Sequence, residues 1–105
     1  MFIVVFVTVP NLKSAKRIAK GLLEKRLCAC VNIAPGLKSF FWWQGKIDKA
    51  KELLLIIKTR KSLFNKLKHA VLNLHPYDVP EVIALPITAA SEKYAAWLRK
   101  ETKNA

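Results

Sequence analysis

Two periodicities divide this chain. Phe2–Val9 is an unbroken β-branched and aromatic run, the pattern of a strand covered on both faces. Thr8-Val9-Pro10-Asn11 ends it, with Asn11 placed to cap a helix. Leu12, Ala15, Ile18, Ala19, Leu22 and Leu23 then recur at helical spacing, while Lys13, Lys16, Arg17, Lys20 and Glu24 take the opposite face. Alternation returns over residues 27–33. Leu27, Ala29, Val31 and Ile33 are expected to face one way, and Cys28, Cys30 and Asn32 the other.

The stretch from 27 to 59 predicts a long two-stranded ribbon. One arm runs from residue 27 past Pro35-Gly36 into Phe40-Phe41-Trp42-Trp43, and the other covers 47–59. They meet at Gln44-Gly45, where a hairpin turn needs a residue tolerant of positive φ. Arms of about 13 to 17 residues would reach ~45–55 Å. A compact domain of this size is only ~35 Å across. The tip must therefore curl over, bend at Pro35-Gly36, or bury itself in another subunit.

Beyond the ribbon, Ser62 is placed to cap a second helix that turns Leu63, Leu67, Ala70, Val71 and Leu74 inward. Pro76 stops it, and His75-Pro76-Tyr77-Asp78-Val79-Pro80-Glu81 is a stiff loop. Residues 82–88 predict a last strand, where Pro86 implies an edge position or a bulge. Ser91 can cap a short helix carrying Tyr94, Trp97 and Leu98 on one face.

The order β-α-β-β-α-β with a tail helix predicts an α+β, ferredoxin-like sandwich, helices on one face of a four-stranded antiparallel sheet. Its other face would be apolar and bare, which points to oligomerisation. With 105 residues and no shift in composition, residues 1–105 are expected to form a single domain. The apolar runs are too short to cross a bilayer and no secretory pattern opens the chain, so no membrane association and a cytoplasmic location are expected.

Lys and Arg number 19 against 7 Asp and Glu, a net charge of +12. Because the basic residues are dispersed, they read first as a solubilising surface. Cys28 and Cys30, two apart on a strand, are poorly spaced for a disulfide and are expected as reduced, inert thiols.

No Gly-rich phosphate loop, nucleophile elbow or paired carboxylates mark an enzyme. His69 reads as a surface residue. His75, held beside Pro76 with Asp78 and Glu81 near in sequence, is either a metal or proton site or a helix-end residue bonding the last carbonyls. Phe40, Phe41, Trp42 and Trp43 could stack nucleobases, but read better as subunit-interface anchors.

Several motifs carry a resemblance to the CutA family of divalent-cation tolerance proteins. They are Thr8-x-Pro10, Leu23-Glu24-Lys25-Arg26-Leu27-x-Ala29-Cys30-Val31-Asn32, Pro35-Gly36, Trp43-x-Gly45-Lys46-Ile47, Lys58-Thr59, His75-Pro76-Tyr77-x-x-Pro80-Glu81 and Tyr94-x-x-Trp97. The resemblance spans essentially the whole chain. It implies a homotrimer packed through its sheets, PII-like in architecture, with no catalytic activity and a role in the response to metal ions. It implies copper or another divalent ion as the metal, none being required for folding, with Cys30, His75 and Glu81 at the matching positions. Cu(II) binding is expected to be weak and to run through His75, since Val7, Leu74 and Asp48-Lys49-Ala50-Lys51 depart from the family pattern. The alternative is a PII-like adaptor holding a small anion, a nucleotide or nucleic acid, between subunits; nucleic acid is the less expected partner.

Overall fold

The alternating and helical stretches become four strands and three helices in the computed structural model, which describes residues 1–104. In order these are β1 (Phe2–Val9), α1 (Leu12–Glu24), β2 (Cys30–Trp43), β3 (Lys46–Arg60), a 3-10 turn (Lys61–Leu63), α2 (Phe64–Leu74), β4 (Ile83–Ile87) and α3 (Glu92–Glu101). The strands form one sheet in the order β2-β3-β1-β4, antiparallel throughout. Each βαβ half leaves a gap that a strand of the other half fills, which makes this a ferredoxin-like sandwich. Pro86 pairs with Ile3 on the edge strand β4, where a missing N–H costs no inner ladder bond.

The core lies between one sheet face and the helices α1 and α2. Ile3, Val5, Val7 and Val9 of β1 and Leu55 and Ile57 of β3 meet Ile18, Leu22, Leu67 and Val71 from the helices. Alternate residues of β1 are only half-buried, so β1 is not covered on both faces as its composition predicts. Its second face carries Phe2, Val4 and Phe6, in register with Arg60, Lys58 and Ile56 of β3 and with Ile87, Leu85 and Ile83 of β4. Helix α3 covers one end of that face: the Arg99 guanidinium sits 5.4 Å above the Phe2 ring. Arg60 donates to the Thr102 hydroxyl at 2.7 Å, and Leu98 is buried.

Two local expectations change. Helix α1 ends in a Schellman turn: Leu27 N–H bonds Leu22 O and Arg26 N–H bonds Leu23 O, both at 3.0 Å, with Arg26 at φ 54°. That turn drives Leu27 and Cys28 together into the core before β2 begins at Cys30. The two cysteines consequently do not share a sheet face. Burial pushes the Cys28 thiol up to about 12, with the neighbouring Cys30 adding to the rise. Both cysteines are free.

Ser62 does not cap α2, because it lies inside the 3-10 turn that feeds the helix. The extended backbone a cap requires belongs to Arg60 (φ −83°, ψ 144°), which makes no side-chain cap bond. Asn11 and Ser91 do cap, accepting from Ser14 N–H at 2.8 Å and Tyr94 N–H at 3.4 Å.

The ribbon bends at Pro35-Gly36, one of the three outcomes its length left open. Pro35 and Gly36 form a bulge between the pairs Ala34–Leu54 and Leu37–Glu52, with Gly36 at φ 82°. Gln44 (φ 52°) and Gly45 (φ 79°) then close the hairpin between Trp43 and Lys46, both in the left-handed region that a two-residue turn of this kind uses. The projecting ribbon helps stretch the molecule to 45 Å along one axis against 25 and 21 Å along the others.

Candidate functional site

The bulge and the proline-bracketed loop after α2 build the most elaborate polar site. Residue His75 is the C-cap of α2, its N–H bonded to Val71 O at 2.8 Å. The residue is 8% exposed and both ring nitrogens are engaged. The Tyr77 N–H donates to Nδ1 at 3.1 Å, so Nδ1 is the acceptor and Nε2–H donates to Thr8 O at 2.7 Å. His75 thus fastens the end of β1 to the loop. Bonding the last helix carbonyls was one of its two expected roles; Leu74 O accepts instead from Arg17 Nη2 at 2.8 Å.

Tyr77 extends the network. Its ring lies 4.8 Å from that of His75, and its hydroxyl donates to Glu52 Oε2 at 2.8 Å. Glu52 is 7% exposed on β3, opposite Leu37, the first pair beyond the bulge. Desolvation, reinforced by the Glu52 carboxylate, pushes the Tyr77 phenol up to about 12. Between the loop and the ribbon lies a cavity of about 860 Å³, reached by Thr8, Glu52, Tyr77, Asp78 and Glu81. A second, of about 890 Å³, lies at the other end of the sheet beside Phe2, Arg60, Lys61 and Arg99.

The three candidate metal ligands are held apart in character. Both nitrogens of His75 are spent on backbone groups. Cys30 lies on the face opposite the core, its sulfur 3.8 Å from the Lys58 ammonium, which also bonds Asn32 Oδ1. Glu81 is exposed in the loop. Among the described residues no three His, Cys, Asp or Glu side chains gather as a metal set. A first-row metal needs free donors converging on one point, and this donor set does not fit one.

The candidate interface aromatics are presented outward. Phe40 and Trp42 are each 72% exposed, with Phe41 and Trp43 less so. By register, Phe40 and Trp42 share a ribbon face with Ile47, while Phe41 and Trp43 share the face of Asp48 and Glu52. Sequence reasoning missed the Tyr77–Glu52 bond. Its signal was a single acid, Glu52, set directly against the apolar run 53–57.

The fold is that of an α+β, ferredoxin-like sandwich, here with a long bulged ribbon and a loop clamped by a buried histidine. The chain belongs to the CutA1 divalent ion tolerance protein family, whose family model matches residues 3–101. It is 53% identical over 102 residues to "Protein CutA, chloroplastic" of Arabidopsis thaliana, covering 97% of this chain but 56% of that one. It is 52% identical over 99 residues to the "Divalent-cation tolerance protein CutA" of Thermus thermophilus, covering 94% of this chain and 96% of that protein. The solved structure of the divalent cation tolerance protein from Thermus thermophilus superposes with a TM-score of 0.96 at 51% identity, over 98% of this chain and 100% of that one. The chain thus spans about half of the plant relative and nearly all of the Thermus one.

Proposed function

We propose that this chain is a non-enzymatic divalent-cation tolerance protein that acts as a homotrimer in the cellular response to metal ions. The observation that carries the reading is the family match across residues 3–101, joined to near-complete superposition on a relative of that printed name. The comparisons do not favour the anion-binding adaptor.

Trimerisation is supported by two apolar surfaces. One is the sheet face with Val4, Phe6, Ile83 and Leu85, and the other is the ribbon face with Phe40, Trp42 and Ile47. Exposed apolar area on this scale is usually an interface. Two unpaired cysteines, one of them in the core, support a reducing, cytoplasmic location.

The candidate ligands His75, Cys30 and Glu81 do not converge within one chain, so the reading does not rest on a chelating site built from them. The test is genetic. Cells lacking the gene should lose tolerance to copper or another divalent ion, and re-expression of this chain should restore it. Unchanged tolerance across copper, zinc, nickel and cadmium would remove the reading.

A further inference from the structure

Scattered along the chain, the basic residues gather in the fold. Helices α1 and α2 cover the core face of the sheet. Their segments, residues 12–26 and 61–74, hold nine of the 19 Lys and Arg against one acid, Glu24. Four of the other six acids, Asp48, Glu52, Asp78 and Glu81, line the cavity between ribbon and loop. A surface that only solubilises intersperses the two signs. Here they are sorted into separate regions.

Six of the nine are exposed lysines: Lys13, Lys16, Lys20 and Lys25 from the first segment, Lys61 and Lys66 from the second. None is in an ion pair, since Arg26–Glu101 is the one such pair among the described residues. Both arginines of the first segment turn back on the protein. Arg17 donates to Leu74 O at 2.8 Å, and Arg26 to Glu101 Oε2 at 3.2 Å. The layer therefore offers an anion point charges on flexible stems rather than guanidinium forks.

The leucines of the same layer decide which polyanion fits. Leu12, Leu23 and Leu72 are 48%, 43% and 45% exposed. Leu12, Lys16, Lys20 and Leu23 follow at spacings that put them on one side of α1, two lysines between two leucines. A nucleic-acid backbone uses the lysines and has no place for the leucines. Phe64, the one Phe, Tyr or Trp of these segments, is half-buried and poorly placed to stack a base. An anionic bilayer uses both kinds of residue: ammoniums meet the headgroups, and leucines enter the boundary beneath them.

We propose that the outer faces of α1 and α2 dock on an anionic bilayer surface, with the lysines at the lipid phosphates and Leu12 and Leu23 in the headgroup boundary. No helix among the described residues is long and apolar enough to cross a membrane, and the docking needs no span. It departs from the expectation of no membrane association, which was drawn from the short apolar runs. The helical layer lies on the opposite side of the sheet from Val4, Phe6, Ile83 and Leu85, so a trimer built through that face leaves it open. The inference goes beyond the tolerance reading and stands without it.

Flotation of the intact protein with lipid vesicles tests it, using phosphatidylcholine alone and a two-to-one mixture of phosphatidylcholine with phosphatidylglycerol at near-physiological salt. Binding to the mixed vesicles and not to the neutral ones is expected. Lys13→Gln, Lys16→Gln and Lys20→Gln together should weaken it roughly a hundredfold, at about fivefold per charge. Lys46→Gln, Lys49→Gln and Lys51→Gln remove the same charge from the ribbon and should change it by less than about threefold. Leu12→Gln with Leu23→Gln should weaken it about tenfold. Equal binding to neutral vesicles, equal losses from the two lysine sets, or no loss from the leucine pair would overturn the proposal. So would tighter binding to a duplex oligonucleotide than to the mixed vesicles at equal phosphate, which would make the layer a nucleic-acid surface. All eight substituted positions are exposed. Should the leucine pair fail to fold, the two lysine sets and the oligonucleotide still decide.

Discussion

Tyr77 joins three parts of the chain through two polar contacts. Its N–H closes the His75 bond and its hydroxyl satisfies a carboxylate that is almost wholly buried. Tyr77→Phe keeps the ring and removes the donor, so a buried charged acceptor loses its partner. The expected cost is about 1–3 kcal/mol, read from urea unfolding. The phenol also predicts an alkaline limb. Its folded pKa is raised from 10.0 to about 12, so the native state holds this proton more tightly than the unfolded chain does. The stability it contributes is complete below the unfolded value and is lost as pH rises from about 10 towards 12. The gap between the unmodified protein and Tyr77→Phe should therefore narrow over that window in unfolding measured against pH. A gap that widened would contradict the assignment.

Single turns set the entry and exit of each element. Asn11 is a working cap, and Asn11→Ala should cost about 1 kcal/mol. Ser62 looks like a cap in sequence but stands within a 3-10 turn, so Ser62→Ala should stay within about 0.5 kcal/mol. Paired thermal melts of the two variants check the contrast, and equal losses would place a cap at Ser62 after all. At the hairpin, Gly45 sits at φ 79° with nothing within 4 Å of where a Cβ would stand, so conformation alone penalises a replacement. Gly45→Ala should cost about 1–2 kcal/mol through the left-handed backbone. His75 belongs to this scale as well. It is an element clamp rather than a free ligand, and His75→Gln should lower the melting temperature whether or not metal is present.

The whole molecule presents more apolar surface than one chain covers. A buried indole accounts for on the order of 150–250 Å², worth several kcal/mol at ~25 cal/mol per Å² before ordering costs. Trp42, 72% exposed, has more area to lose than Trp43 at 45%. In the proposed trimer, Trp42→Ala should therefore weaken assembly more than Trp43→Ala, and the melting temperature should fall with it because folding and association are linked. Sedimentation velocity at micromolar concentration measures this. A well-folded monomer of the unmodified chain would end the trimer proposal.

Much of the architecture follows from local chemistry. Valine and isoleucine runs, a 3.6-residue apolar stripe, Asn11, Pro35-Gly36 and Gln44-Gly45 determine strands, a helix, a bulge and a hairpin, because each acts over a few bonds. The sequence by itself also confined Pro86 to an edge position or a bulge, through the N–H it lacks, and the sheet order made it the edge. What only the tertiary structure decided are contacts between residues far apart in the chain. Thr8 O and His75 are 67 positions apart, and Glu52 and Tyr77 are 25 apart. No periodicity encodes such pairs. The same holds for Cys28 and Cys30: alternation put them on one face, but the Schellman turn at Arg26 rotated Cys28 into the core. Side-chain alternation holds only once a strand has begun, and where it begins is set by the bonds from Leu27 N–H to Leu22 O at 3.0 Å and from Thr59 Oγ1 to Leu27 O at 2.6 Å.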